Sequence, residues 1–233
     1  MPNGAKGSGS RARCTERAEA RALGDTSDPQ VPCSLRPIRE ARILQSMVHA
    51  RRLTRADAGR LHLLRREALS EEPTAFGSSP ADCRFREPSA VDACLVDDDR
   101  AVYAIADPDD PERIVAMAGI SRESREKQRH RASIWGVYVS RGHRGRGFGR
   151  AVVAACVDHA RTWPAVDCVT LGVSADGSAA RSLYESLGFA IWGTEPDALR
   201  INGRAIPQHH MMLRLSTSTS TPSPIGHSVS TDR

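Results

Sequence analysis

Three glycines at alternate positions, Gly145, Gly147 and Gly149, interleave with Arg144, Arg146, Phe148 and Arg150 between a strand-like run ending at Val139 and a helix-like run that follows. This placement constrains the fold more than any other feature of the chain. Residues without a Cβ let successive backbone N–H groups approach an anion, and a helix starting there adds its unbonded amides and the positive end of its dipole. The arginines supply charge for a phosphate-bearing ligand. On either side the periodicity is clear. Ile134–Val139 reads as a strand, Phe148, Val152, Cys156 and Ala160 fall every four residues on one helical face, and Val169–Val173 reads as a strand again. A strand, helix and strand of those lengths predict a right-handed crossover between parallel strands.

Glycine-rich loops also serve dinucleotide-binding and nucleoside-triphosphate folds, and the surroundings separate these cases. A dinucleotide fold wants the loop in the first turn of a repeating parallel unit, with an acidic residue about 20 positions on. Here the loop follows two short apolar runs, Ala101–Ala106 and Ile114–Ile120, joined by the turn-rich DPDDPE and read as an antiparallel hairpin, and the strand after the helix ends in Val173-Ser174. No GKS or GKT follows the loop, which excludes a P-loop.

The rest of the chain organises around this segment. Residues 1–46 are rich in Gly, Ser, Arg, Asp and Pro without a sustained period and read as disordered. Met47–Leu53 alternates as a first strand would, and its leading methionine raises the hypothesis that the natural start is Met47; peptides from the first 40 residues in mass spectra of the natural protein would refute it. Thr54 caps a first helix carrying Ala56, Leu61, Leu64, Ala68 and Leu69 and ending before Pro73, and a second short helix is expected around Ala90–Leu95. Ala179–Leu187 forms a last helix, stopped by Gly188. Phe189–Trp192 and His210–Leu215 read as the final strands, with Thr194–Pro207 as a loop between them, and residues 216–233 as a low-complexity tail. One folded unit over 47–215 is expected.

Composition narrows the classes further. The net charge is +5 in 233 residues, but arginine is scattered rather than gathered into a basic block with interleaved aromatics; this favours anionic ligands over a nucleic-acid groove, for which steep salt-dependent duplex binding would be the minimum requirement. No apolar run has the length of a membrane span and no signal sequence is visible, so a soluble, cytoplasmic protein without a membrane partner is expected. Six cysteines show no CxxC spacing, so no metal is expected, and Cys156 and Cys168 read as core thiols.

Val139-x4-Arg144-x2-Gly147-x-Gly149 resembles motif A of the GNAT superfamily of N-acetyltransferases, and LYESLGF from Leu183 to Phe189 is similar to its motif B. RRLTRADA, EALSEEPTAFGSS and GTEPDALRINGR also look like segments of bacterial members, so the resemblance spans nearly all of 47–215. It implies an α/β (α+β) fold in which helices flank a mixed, mostly antiparallel sheet splayed between its fourth and fifth strands. By that resemblance the backbone of Val137, Tyr138 and Val139 would bond the pantetheine arm and thioester of acetyl-CoA, and Arg144, Gly145, Arg146, Gly147, Phe148, Gly149 and Arg150 would wrap the pyrophosphate. Tyr184 would be the general acid toward the leaving thiolate, in direct attack by a primary amine within a ternary complex. A homodimer is common in the family.

Two departures from the family's pattern stand out. Gly177 occupies a position where an asparagine is frequent, and Ser133 and Trp135 stand where some members place a carboxylate base. Glu123, Glu126, His130, His210 or ordered water are the alternatives for that base. These departures keep open a second reading, a non-catalytic acyl-CoA-binding sensor. Trp135 and Tyr138 are read either as packing or as walls of the acceptor pocket, His143 as an exposed loop residue in preference to a phosphate contact, and His209 and His210 as facing opposite sides of a strand, unable to share an ion. The acceptor itself, whether small amine, amino acid, antibiotic or peptide, is not named by these letters.

Overall fold

Leu61, Leu64, Ala68 and Leu69 are all buried, and they make one apolar face of a helix because residues three and four apart stack at 100° per residue. In the computed structural model, which describes residues 49–215, that helix is α1 (Ala58–Glu71), preceded by a 3₁₀ turn over Arg55–Asp57. The Thr54 amide donates to the Asp57 carboxylate at 3.0 Å, which closes the helix start. A shorter helix, α2 (Pro88–Leu95), begins on a proline as N-terminal turns allow and packs against α1 through Val91, Cys94 and Leu95.

Seven strands form one sheet: β1 (Arg51–Arg52), β2 (Arg100–Ala106), β3 (Ile114–Arg122), β4 (Arg131–Val139), β5 (Cys168–Ser174), β6 (Ala190–Ile201) and β7 (Arg204–Arg214). Their spatial order is β1-β2-β3-β4-β5-β7-β6. Every neighbouring pair is antiparallel except β4 and β5, which are parallel and joined through α3 (Phe148–Thr162). The predicted crossover is therefore present. A short helix, α4 (Ser178–Ser186), joins β5 to β6. Gly188 follows it at φ 91°.

The sheet carries a core on each face. Ala101, Val115, Ala118 and Ile120 meet Val152, Val153 and Cys156 of α3 on one face, whereas Val102, Ala104 and Met117 meet α1 and α2 on the other. Cys156 and Cys168 are both buried free thiols, as their apolar settings implied.

Two expectations are corrected. The first strand is Arg51–Arg52 rather than Met47–Leu53; both side chains are exposed and the Arg51 guanidinium turns back to Asp57 at 2.6 and 2.8 Å, so the run has no buried row to extend it. Met47 and Val48 lie outside the described residues, as do the stretches 1–46 and 216–233. Thr194–Pro207 is not a loop. β6 and β7 run through it as a long hairpin turning at Asn202 and Gly203, whose φ values of 50° and 79° are those that favour the turns matching strand twist. No helix among the described residues is long and apolar enough to cross a membrane.

Candidate active site

β4 and β5 are paired only over Arg131–Ser133 against Cys168–Thr170. Beyond that point β4 stays with β3, while β5 is held on its other side by β7 as far as Ser174. The strands part, and the β5-facing edge of β4 has no sheet partner from Ile134 to Val139. A bulge lies on this edge. Trp135 opposes Gly119 and Tyr138 opposes Met117, so β4 uses one more residue than β3 over the same length. Gly136 absorbs the extra residue at φ 66°, a conformation that costs residues with a Cβ about 1–2 kcal/mol.

The bulge reverses the pleat. Before it, Ile134 packs on the α3 side and Trp135 on the α1 side; after it, Val137 and Val139 face α3 and Tyr138 faces α1. Tyr138 is 4% exposed. Its hydroxyl donates to Glu71 Oε2 at 2.8 Å, with Glu67 Oε1 at 3.1 Å. Burial, reinforced by Glu71, pushes this phenol above its ordinary range. Its side chain thus anchors β4 to α1, a role that a lone tyrosine in a strand pattern does not announce.

A cavity of about 590 Å³ opens along Val137–Val139, the N-terminus of α3 and α4. Gly145 and Gly147 take φ 73° and 82°, and the first α3 amide with a backbone acceptor is that of Ala151, on the Gly147 carbonyl at 3.1 Å. The amides before it point out of the helix end, as anion sites require. Gly149 is needed for closeness rather than for φ, since a Cβ there would stand 3.0 Å from Leu183 of α4.

The residues singled out in the sequence are distributed unevenly. Val137, Tyr138, Val139, Arg144, Gly145, Gly147, Phe148, Gly149, Arg150 and Tyr184 all line this cavity. Arg146 does not; its guanidinium lies 5.4 Å over the Phe148 ring. Arg144 is drawn back onto the Val139 carbonyl and Glu72, both at 3.0 Å, and Arg150 onto Ser186 Oγ at 2.7 Å. Arg144 and Arg150 thus border the cavity with their guanidinium groups already engaged. Gly177 lines it too, and a Cβ there would come within 3.1 Å of the Ser174 carbonyl, leaving little room for a longer side chain. His143 is not an exposed loop residue. Its side chain is 13% exposed, held 3.4 Å from Asp107 and stacked on Phe148.

Tyr184 is 5% exposed and packs edge-on against Phe189. Burial raises its pKa well above that of a free phenol. The group stays neutral at working pH, so it can donate a hydrogen bond toward developing negative charge, while full proton release is uphill.

A second cavity, of about 440 Å³, lies against the other half of β4. Ser133, Trp135 and Gly136 form one wall, Thr170–Gly172 of β5 another, and Trp192, Gln208 and His210 of the last hairpin a third. Ala75 and Phe76 border both cavities, which adjoin where the strands part. Trp135 is therefore a pocket wall as well as a packing residue. Its indole donates to Ser121 Oγ at 2.8 Å and stacks on Phe85.

The four alternatives for a base separate in space. Glu126 is exposed in a 3₁₀ turn, Glu123 accepts a long bond from Ser133 at 3.4 Å, and His130 stands at the start of β4 beside Asp167 and Cys168. His210 lines the second cavity, with Nε2 3.2 Å from Glu195 Oε2 on the neighbouring strand. His209 pairs with Thr194 instead. The Glu195–His210 pairing depends on the hairpin, whose signal in the sequence was the Asn202-Gly203 dipeptide.

Comparison with known proteins fits this architecture. A family model described as the acetyltransferase (GNAT) family matches residues 62–189, more than half of the chain. Among solved structures, a putative acetyltransferase from Salmonella typhimurium with its cofactor acetyl-CoA superposes with a TM-score of 0.63 at 20% identity, over 76% of this chain and 99% of that one. Ribosomal-protein-alanine N-acetyltransferase from Brucella melitensis gives 0.62 at 22%, over 72% and 100%. Spermidine N-acetyltransferase from Vibrio cholerae, in complex with CoA and spermine, gives 0.59 at 20%, over 72% and 96%. No curated protein matches. At these identities the structures speak to the fold, and the family match to membership: this chain belongs to the GNAT acetyltransferase family.

Proposed function

We propose that the chain, through residues 47–215, is a cytoplasmic N-acetyltransferase that moves an acetyl group from acetyl-CoA to a primary amine by direct attack in a ternary complex. The observation that carries this reading is the pair of adjoining cavities on one unpaired edge of β4. One has bare helix-end amides suited to a pyrophosphate, and the other has a histidine and aromatic walls suited to an acceptor. The fit to acetyl-CoA rests on the glycine φ values, the free amides of α3 and the open backbone edge of Ile134–Val139, which can pair with an extended arm as a strand would. Acetyl-CoA supplies an activated thioester.

The chain's own residues then divide the work. His210, oriented by Glu195, takes the proton from the attacking amine as the C–N bond forms. Tyr184 donates a hydrogen bond to the sulfur as the C–S bond breaks, and its raised pKa suits a donor that stays un-ionised. Holding the amine and thioester on one strand edge contributes orientation. The test is release of free thiol on mixing the protein and acetyl-CoA with a panel of amines, using Tyr184→Phe and His210→Asn as controls. Turnover that falls in both variants supports the assignment. Protection against heat by acetyl-CoA without thiol release from any amine would refute it and favour a non-catalytic sensor, a reading motivated by Gly177 and by the absence of a β4 carboxylate.

A further inference from the structure

The smaller cavity carries charge that its walls do not answer. Arg65 is only 8% exposed, and its Nε and Nη1 have no hydrogen-bond partner among the described residues. The Nε of half-buried Arg131 is in the same condition. Both arginines line the cavity, and no Asp or Glu does. A guanidinium withdrawn from water is costly unless an anion joins it. Phe76 lies 4.6 Å from the Arg65 guanidinium carbon; a ring there covers one face and leaves the in-plane N–H donors free. A planar carboxylate matches those donors in direction.

The location matters as much as the charge. Arg65 falls in the middle of the buried arc of α1, between Leu61 and Leu69 at 100° per residue, where packing alone would select an apolar residue. Its Nη1 lies 3.6 Å from where a Cβ on Gly136 would stand, so the guanidinium reaches the bulge. His210 borders the same cavity, and Trp135 and Trp192 add apolar surface.

Building on the N-acetyltransferase reading, we infer that the acceptor is a free amino acid whose carboxylate binds Arg65 and Arg131, with its amine toward His210 and its side chain against the tryptophans. A polyamine would bring positive charge to two arginines, and an amine on a protein chain would lack the adjacent carboxylate.

The experiment compares L-amino acids with their carboxamides, which keep the amine and lose the charge. In the wild type, kcat/KM should favour the acid by on the order of 100-fold, the scale of a buried charge pair, with the difference in KM rather than kcat. In Arg65→Gln the preference should collapse toward unity. Calorimetric binding of the acids and amides to the wild-type protein with CoA present tests the subsite independently of turnover and of the variant's folding. Equal use or equal binding of acid and amide by the wild type would overturn the inference while leaving amine acetylation intact. Turnover of polyamines alone would do the same. Acetyl-CoA binding with no amine turned over would instead refute the underlying transferase reading, and with no acid bound either, both fail.

Discussion

Gly119→Ala should destabilise the protein, although a glycine inside a strand is ordinarily a position where alanine helps. The added methyl would stand 2.5 Å from Cη2 of Trp135, and closer still to Cζ2 and Cε2. Carbon atoms pack at about 3.5–4.0 Å, so the indole must move by about 1 Å. It is not free to do so. Its Nε1–H is bonded to Ser121 Oγ at 2.8 Å, Phe85 stacks on it at 5.3 Å and the Arg84 guanidinium lies 5.3 Å from its centre. Overpacking of this kind costs about 1–3 kcal/mol, and losing the indole hydrogen bond about 0.5–1.5 kcal/mol more. For a chain of this size each kcal/mol lowers the melting temperature by about 2–4 °C. A loss of about 2–4 kcal/mol, or about 4–16 °C, is therefore expected in thermal and denaturant melts. The same substitution in a Trp135→Ala background, where no ring remains, should be neutral or stabilising by about 0.5 kcal/mol through reduced unfolded-chain entropy. If the two substitutions add to within about 0.5 kcal/mol, the contact does not have the consequence assigned to it.

Tyr184→Phe should lower kcat about 100-fold with the KM for acetyl-CoA little changed, since one donor to developing charge is lost and the packed ring remains; an unchanged kcat would remove Tyr184 from the mechanism. Because burial raises its pKa, Tyr184 itself should cause no fall in kcat through pH 10, where an ordinary tyrosine ionises, and a tyrosinate absorbance change tracking activity below that pH would contradict this. Gly147→Val, at φ 82°, should cost about 1–2 kcal/mol or more of stability and weaken calorimetric acetyl-CoA binding at least about tenfold by displacing the α3 amides; unaltered binding would show that the loop does not hold the ligand. The Asp57 carboxyl is held well below the usual range, first by the Arg51 hydrogen bond. Its stabilisation, about 2 kcal/mol, is present above about pH 4, where an unfolded aspartate is ionised, and fades as pH falls below that. The gap in denaturant stability between wild type and Asp57→Asn should therefore be constant from pH 5 to 8 and narrow toward pH 3, and a gap that widens in acid would reverse the sign.

The parts of the fold readable from letters were those with a local physical signature. The four-residue period from Phe148 to Ala160, the alternating glycines and the Gly188 stop each report a backbone condition that acts where the residue stands. Pairing partners do not report themselves in this way. Gly119 is indistinguishable from any small strand residue until Trp135 is laid across it, and the bulge at Gly136 appears only when two strands are counted against each other. The His210–Glu195 pair needs a hairpin that joins residues 15 apart. Asn202-Gly203 is a turn signal for that hairpin, but the segment Thr194–Pro207 reads as a loop because it has no continuous apolar alternation, β6 lying at the sheet edge with most of its side chains in solvent. Arg65 stands in the middle of an apolar arc, but a charge at one helical position carries no assignment until the cavity beside it is known.

The bulge at Gly136 has a consequence for how this chain can change. Because the pleat reverses there, the stretch before it and the stretch after it border different cavities, and a substitution on one side does not carry its geometry across. Ser133 and Trp135 can vary with one compartment while Val137 and Val139 hold the other constant. A hinge of a single residue thus gives one strand two separable histories. It is also fragile in one specific way. A residue at position 136 that straightened β4 into a regular pleat without shortening it would turn Val137–Val139 inside out, whereas deleting Gly136 would leave each of them on its present face.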